Sequence, residues 1–98
     1  MSYISNLEKI LSENKFAVTA EIGPPKGADP NNIKNKADIL RGFADAFNVT
    51  DNQTAVVRLS SWGGCFILKN MNLEPIMQIT CRDRNRIALQ SDVLGAAA

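Results

Sequence analysis

Few residues in this chain are suited to chemistry, and Glu21 is the first of them. It lies near the end of Phe16–Gly27, FAVTAEIGPPKG, just ahead of Gly23-Pro24-Pro25. Phe16, Val18, Ala20 and Ile22 alternate there with Ala17, Thr19 and Glu21. Successive side chains of a strand point to opposite faces, so one face is apolar and the other carries Thr19 and Glu21. A carboxylate on a strand covered on both sides is costly unless it is paired or used. Two roles fit Glu21: an acid that gives up a proton in a reaction, or a structural acid held in an ion pair. Two further polar pairs end apolar alternations, Asn48 with Thr50 and Gln78 with Thr80. Arg82 and Arg84 follow the last pair, as candidates to meet an anion or as plain solvated charges.

Other chemistries are excluded by composition. The chain has no histidine, and its two cysteines, Cys65 and Cys81, belong to no C-x-x-C pair. A zinc site would need ligands that are lacking, and a histidine-activated serine or cysteine nucleophile is ruled out within the chain. Acid–base work is left to carboxylates, lysine and tyrosine. Cys81 alternates with Met77 and Ile79, which predicts a buried small hydrophobe. With 11 basic and 10 acidic residues the net charge is +1, which gives no reason to expect nucleic acid or an anionic membrane as partner. Apolar residues make up 45% of the 98, a normal globular share. No apolar run approaches the roughly 20 residues that span a bilayer. MSYISNLEKILSENK lacks the basic start and apolar core of a signal peptide, so the expected location is the cytoplasm.

The elements that must position these residues can be read in order. Residues 2–14 predict a short amphipathic helix, with Ile4, Leu7 and Leu11 in a stripe and Ser5 and Glu8 at capping-box spacing; Ser2 is an alternative cap. It is expected to cover one end of a sheet. A strand is predicted over 16–22, stopped by prolines that lack the N–H donor. Asp29-Pro30 reads as a helix start, with Ile33, Ala37, Leu40 and Ala44 on one face and Ile39 and Phe43 widening it. A second strand is predicted over 45–50, with Phe47 and Val49 on one face and Asn48 and Thr50 on the other. Asp51-Asn52-Gln53 reads as loop, with Thr54 as a possible cap. Residues 55–69 predict a helix or a broken pair of helices around Ser60–Gly64, since each glycine costs about 1 kcal/mol relative to alanine. Trp62 is expected to be a packing residue. A third strand is predicted over 76–81, and Asp83 is expected to cap a last helix in which Ile87, Ala88, Ser91, Leu94 and Gly95 recur at helical spacing.

Strand and helix thus alternate three times, the pattern of parallel βα units. The strand ends Ile22, Thr50 and Thr80 are 28 and then 30 residues apart. Eight such units make a (β/α)8 TIM barrel of about 250 residues. The expected fold class is therefore α/β: the N-terminal three βα units of such a barrel, incomplete on their own. Residues 1–98 are read as a single partial domain, with a helix over 2–14 and three βα units over 16–98. The chain is expected to be the first part of a larger protein or a truncated product. A small doubly wound domain is the competing architecture. Barrel cores are filled mostly by branched apolar side chains, and barrel active sites lie at the C-terminal ends of the strands. Polar residues repeated on one face at three such ends point to a ligand pocket; an internal hydrogen-bond network with buried water is the alternative.

The runs VTAEIGPPKGAD, DAFNVTDNQTAVVRLSS and EPIMQITCRDRNRIALQSDVLGAAA resemble the start of the methylenetetrahydrofolate reductase family. The likeness covers most of Phe16–Ala98, and the third run is the most specific. It implies an eight-stranded flavin-containing α/β barrel in one-carbon and methionine metabolism. It also implies a reaction in which NAD(P)H passes a hydride to a bound flavin, FAD, which passes it on to the methylene carbon of 5,10-methylenetetrahydrofolate. The product is 5-methyltetrahydrofolate. The folate's five-membered ring must open, which needs a proton on the departing nitrogen. On this resemblance Glu21 is the catalytic general acid, and such an acid works best in a pocket that raises its pKa toward neutrality. Thr50 is expected beside the flavin. Gln78 stands where the family often has a histidine; it can hydrogen-bond the cofactor but cannot change charge. Ile22-Gly23 replaces two phenylalanines common in the family.

The family's fourth strand, which brings an aspartate near the flavin, lies beyond Ala98. The 98-residue chain is therefore expected to bind flavin weakly or not at all, and not to catalyse the reaction alone. A homo-oligomer, or a partner carrying the missing strands, is the implied assembly. Two other readings stay open: a non-catalytic truncated barrel segment that needs such a partner, and another folate- or pterin-handling α/β barrel such as a methyltransferase.

Overall fold

A computed structural model describes residue 2 and residues 4–98. Met1, and Tyr3 within the span of the predicted first helix, lie outside the described residues. Three strands, β1 (Thr19–Ile22), β2 (Ala46–Val49) and β3 (Pro75–Met77), form one parallel sheet in the order β1-β2-β3. Four α-helices accompany them: α1 (Asn6–Ser12), α2 (Pro30–Leu40), α3 (Ser61–Asn70) and α4 (Arg86–Ala97), with a 3₁₀ turn at Gln53–Ala55. In register, Glu21 faces Asn48 and Asn48 faces Ile76, while Ile22 faces Val49 and Val49 faces Met77.

The core lies on one face of this sheet. Ile22, Phe47 and Val49 pack there against Ile33 and Ala37 of α2 and Leu68 of α3, all fully buried. Each large side chain so buried contributes roughly 1.5–3 kcal/mol. α2 starts where the sequence predicts, with Pro30 at its first position and Asp29 Oδ1 accepting from Asn31 N–H at 3.0 Å. Its apolar stripe is narrower than read: Ile39 and Phe43 are exposed.

Residues 55–69 form neither the single helix nor the broken pair of helices expected. Val56 is extended, and α3 begins only at Ser61, capped by Ser60 Oγ, which accepts from Gly63 N–H at 3.1 Å. The two glycines are not the break but lie inside the helix, because the sheet demands it. A Cβ on Gly64 would stand 2.8 Å from Val49 Cγ1, so only glycine lets α3 come this close to β2.

The strands are also shorter than predicted. Phe16 is 91% exposed and lies ahead of β1. Val18 N–H is taken by Asp45 Oδ2 at 2.9 Å instead of by a ladder. β3 ends at Met77, and Cys81, expected to be buried, is exposed in the turn that follows. α4 is capped by Asn85, whose Oδ1 accepts from Ala88 N–H at 2.8 Å, and not by Asp83. Asp83 has a φ of 66°, which the N-cap conformation does not allow. α4 buries no residue; Ile87 and Leu94 are exposed, and Gly95 rests on the Trp62 ring. Trp62 itself stacks on Phe66 with ring centroids 5.9 Å apart.

α1 has only seven residues, too few to hold a helix in water unaided. It is anchored at both ends of its first turn. Ser5 Oγ accepts from Glu8 N–H at 3.1 Å, and Glu8 Oε2 accepts in return from Ile4 N–H at 3.0 Å. Glu74, immediately before β3, receives the Asn6 and Leu7 N–H groups at 2.7 and 2.9 Å. The helix therefore sits at the N-terminal end of the sheet, away from Glu21, Thr50 and Gln78.

Candidate functional site

Period-two alternation sends Glu21, Asn48 and Ile76 to the face opposite the helix-packed core. The ladder carries on past the strand ends: Thr50 N–H donates to Ile22 O at 3.4 Å, and Gln78 N–H to Val49 O at 3.2 Å. Thr50 and Gln78 therefore continue the same face toward the C-terminal end. The fold brings all three sequence-predicted residues, Glu21, Thr50 and Gln78, to one face, with Asn48 between them. Asn48 is held in place by its Nδ2, which donates to Ala20 O at 3.4 Å.

The burial of these residues differs from the sequence reading in one respect. Glu21, read as an acid on a strand covered on both sides, is exposed, as is Gln78. Among the described residues, α2 and α3 are the helices that pack on the sheet, and both lie on its other face. Thr50 behaves differently. It is 5% exposed and its Oγ1 has no hydrogen-bond partner. The hydroxyl lies 3.8 Å from where a Cβ on Gly23 would be. A buried hydroxyl left unpaired costs about 1–3 kcal/mol, and a rotation about χ1 is what would offer it to a ligand. One carboxylate, two amides and this hydroxyl form a set of uncharged and acidic hydrogen-bonding groups. That set suits the polar edge of a heteroaromatic ring, so the residues present fit a flavin or a pterin.

The rim of this face is an ion-pair network that the sequence reading missed. Asp51, directly after Thr50, is 4% exposed. Arg84 grips it with both Nη atoms, Nη2 to Oδ1 at 2.9 Å and Nη1 to Oδ2. Thr80 N–H donates to the same Oδ2 at 2.8 Å. Arg84 also reaches Thr80 O at 2.9 Å and Asp92 Oδ2 at 3.4 Å. Arg82 Nη2 donates to Asn52 O at 2.7 Å. The guanidinium of Arg84 holds the Asp51 carboxyl below the ordinary carboxylate range, against the opposing effect of burial. The carboxylate in turn raises the Arg84 pKa. Arg84 is thus neither a solvated charge nor free to meet an external anion. The usable signal was topological: loops that follow adjacent parallel strands are neighbours, and here they carry opposite charges.

A groove of about 1020 Å³ lies elsewhere, beside the free edge of β3 between α1, α3 and α4. Ile76, Met77, Trp62, Phe66 and Leu7 line it, and none of Glu21, Thr50 and Gln78 does. Cys65 borders it, and burial pushes its thiol up to about 11. Among the described residues no cluster of His, Cys, Asp or Glu could hold a metal ion. No helix among them is long and apolar enough to cross a membrane.

A family model described as methylenetetrahydrofolate reductase matches residues 6–98. The chain belongs to the methylenetetrahydrofolate reductase family. The matched span runs from α1 through α4 and takes in the whole sheet. Glu21, Thr50 and Gln78 all fall within it, as do Asp51 and Arg84. No curated protein and no solved structure matches the chain.

Proposed function

We propose that the chain forms the first three βα units of a (β/α)8 barrel that reduces 5,10-methylenetetrahydrofolate to 5-methyltetrahydrofolate with flavin and NAD(P)H. The observation that carries this reading is the polar face: Glu21, Asn48, Thr50 and Gln78 meet at the C-terminal ends of three sequential parallel strands, opposite the helices. That is where a barrel holds its chemistry, and a sheet with helices on one face only is the section a barrel requires. Family membership supports the folate-reductase class.

FAD, when bound, would carry a hydride from the reduced pyridine nucleotide to the methylene carbon of the folate. Thr50 and Gln78 would hold the cofactor by hydrogen bonds, and Asn48, fixed by the Ala20 carbonyl, would present its amide between them. Glu21 acts as general acid: its carboxyl proton goes to the folate nitrogen that departs as the five-membered ring opens, and the carboxylate is left behind. β1 and β3 each keep one edge unpaired among the described residues. Closing the barrel around Glu21 therefore calls for further strands, from a longer chain, a second copy or a partner.

The test has two arms. The 98-residue chain, purified and titrated with FAD, is expected to bind weakly or not at all and to lack reductase activity. Stoichiometric flavin absorbance with activity from this chain alone would overturn that. In the closed barrel, Glu21→Gln is expected to abolish folate reduction while reduction of flavin by the nucleotide persists. Loss of both half-reactions together would instead give Glu21 a structural role.

A further inference from the structure

We propose that Asp51 and Arg84 are positioning residues that clamp the loop after β2 to the loop after β3 and so set the relative placement of Thr50 and Gln78. This rests on the reading of the polar face as a ligand site.

The argument starts from adjacency in sequence. Asp51 follows Thr50 directly, and Thr80, which binds the same carboxylate, lies two residues after Gln78. Between these anchors the connection is rigid. The pair is two-pronged, with Arg84 Nη1 and Nη2 on the two carboxylate oxygens. A planar guanidinium in that geometry fixes direction as well as distance. The Asp51 side chain is fully buried and that of Arg84 only 14% exposed, so solvent screens the pair little. Arg82, donating to Asn52 O at 2.7 Å, ties the same two loops a second time.

Backbone conformation in the two loops shows that something must hold them. Asn52, Thr54, Ala55 and Asp83 all have positive φ, at 43°, 63°, 59° and 66°. They are four of the six non-glycine residues with positive φ among the described residues. Left-handed backbone is sterically disfavoured for every non-glycine residue, most for a β-branched one such as Thr54. Such conformations persist only where the surroundings over-determine them. The groups facing Asp51 are Arg84 and Thr80, both from the loop between β3 and α4, and the neighbouring Asn52 amide, whose Nδ2 donates to Oδ1 at 3.4 Å; Arg84 is shared with Asp92 of α4. Losing the charge at position 51 removes the interaction that these loops are built around, while the core behind β2 keeps its contacts.

Amide exchange of the ¹⁵N-labelled chain tests this directly. In Asp51→Asn, and in Arg84→Lys, which keeps the charge but not the fork, the Thr80 and Gln78 amides are expected to exchange at least tenfold faster. Helical amides at Ala37 and Leu68 are expected to keep their wild-type rates. Uniform acceleration that includes Ala37 and Leu68 would mean general stabilisation only, and no acceleration would mean no clamp; either overturns the proposal. Acid titration of the unsubstituted chain needs no variant to fold. The Asp51 pKa is lowered in the folded state from its ordinary value of 3.8. The clamp's contribution is therefore fully present above about pH 3.8 and is lost as pH falls through the lowered value. The amide shifts of residues 52–55 and Thr80 are expected to move together in that window, before the core unfolds. Their moving only with global unfolding would overturn the proposal. None of these measurements uses flavin, so failure of the clamp and failure of the proposed reaction are read separately.

Discussion

Gly64→Ala is a sensitive probe of whether α3 packs on β2 as closely as described. Two effects of opposite sign compete. In a solvated helix, replacing an interior glycine by alanine stabilises by about 1 kcal/mol. At Gly64 the added Cβ would stand 2.8 Å from Val49 Cγ1, 3.4 Å from Ile33 Cδ1 and 3.9 Å from Pro24 Cγ. The first distance is shorter than real Cβ contacts show, so something must shift, and Val49 and Ile33 are both fully buried. Overpacking of this kind costs about 1–3 kcal/mol. Steric overlap therefore offsets the propensity gain and leaves a net loss of about 1 kcal/mol. With a urea slope of about 1–2 kcal/mol per molar for a chain of this size, the midpoint should fall by roughly half to one molar. Gly63→Ala is the internal control. Its Cβ would meet the half-exposed Leu59 side chain at 3.2 Å and the exposed Ser60 Oγ at 3.3 Å, both able to shift. A few tenths of an ångström of movement by these side chains keeps most of the propensity gain of about 1 kcal/mol, so Gly63→Ala should be at least as stable as the unsubstituted chain. Should Gly64→Ala prove as stable as the unsubstituted chain or more so, the close approach of α3 to β2 is wrong, and with it the placement of the helix-packed face.

Two further outcomes follow from other parts of the fold. Cys81 is exposed, whereas burial pushes the Cys65 thiol up to about 11; only the thiolate reacts, so at pH 8 about one Cys65 in a thousand is reactive. One thiol per chain should label fast with a disulfide reagent and the other far more slowly, and mass spectrometry should find the fast label on Cys81; equal rates would contradict the burial of Cys65. Glu74→Ala removes the carboxylate that receives the Asn6 and Leu7 N–H groups, a loss of about 1 kcal/mol on capping precedent. Because α1 is seven residues long, limited proteolysis should then cut within residues 6–12 first, while a cleavage pattern identical to that of the unsubstituted chain would show that α1 is held by its apolar contacts instead.

What could be read from the sequence follows the range of the physical rule involved. Period-two alternation is local, so it puts Thr50 and Gln78 on the face of Glu21 correctly. Asp29-Pro30 is local too, and α2 begins there. The misreadings arise where a distant partner decides. Phe16 and Val18 continue the alternation of β1, but Asp45 takes the N–H that a ladder would use, so the strand starts at Thr19. By propensity Gly63-Gly64 leaves open one helix or a broken pair, yet Val49, fifteen residues earlier in the sequence, makes glycine at 64 the condition for the helix to pack. Asp51 and Arg84 lie 33 residues apart, and neither shows any local sign of its partner. The chemistry-bearing positions therefore divide at the point where strand becomes loop. Glu21 and Asn48 in the strands, and Thr50 and Gln78 one residue past them, follow from alternation and are visible in advance. The loop residues that fix how far apart those strand ends sit become visible only once the register of the parallel sheet is known. Because Asp51 and Thr80 follow the ends of β2 and β3 by two and three residues, aligning the strand ends and then pairing the charges beyond them leads from the sequence to the Asp51–Arg84 pair.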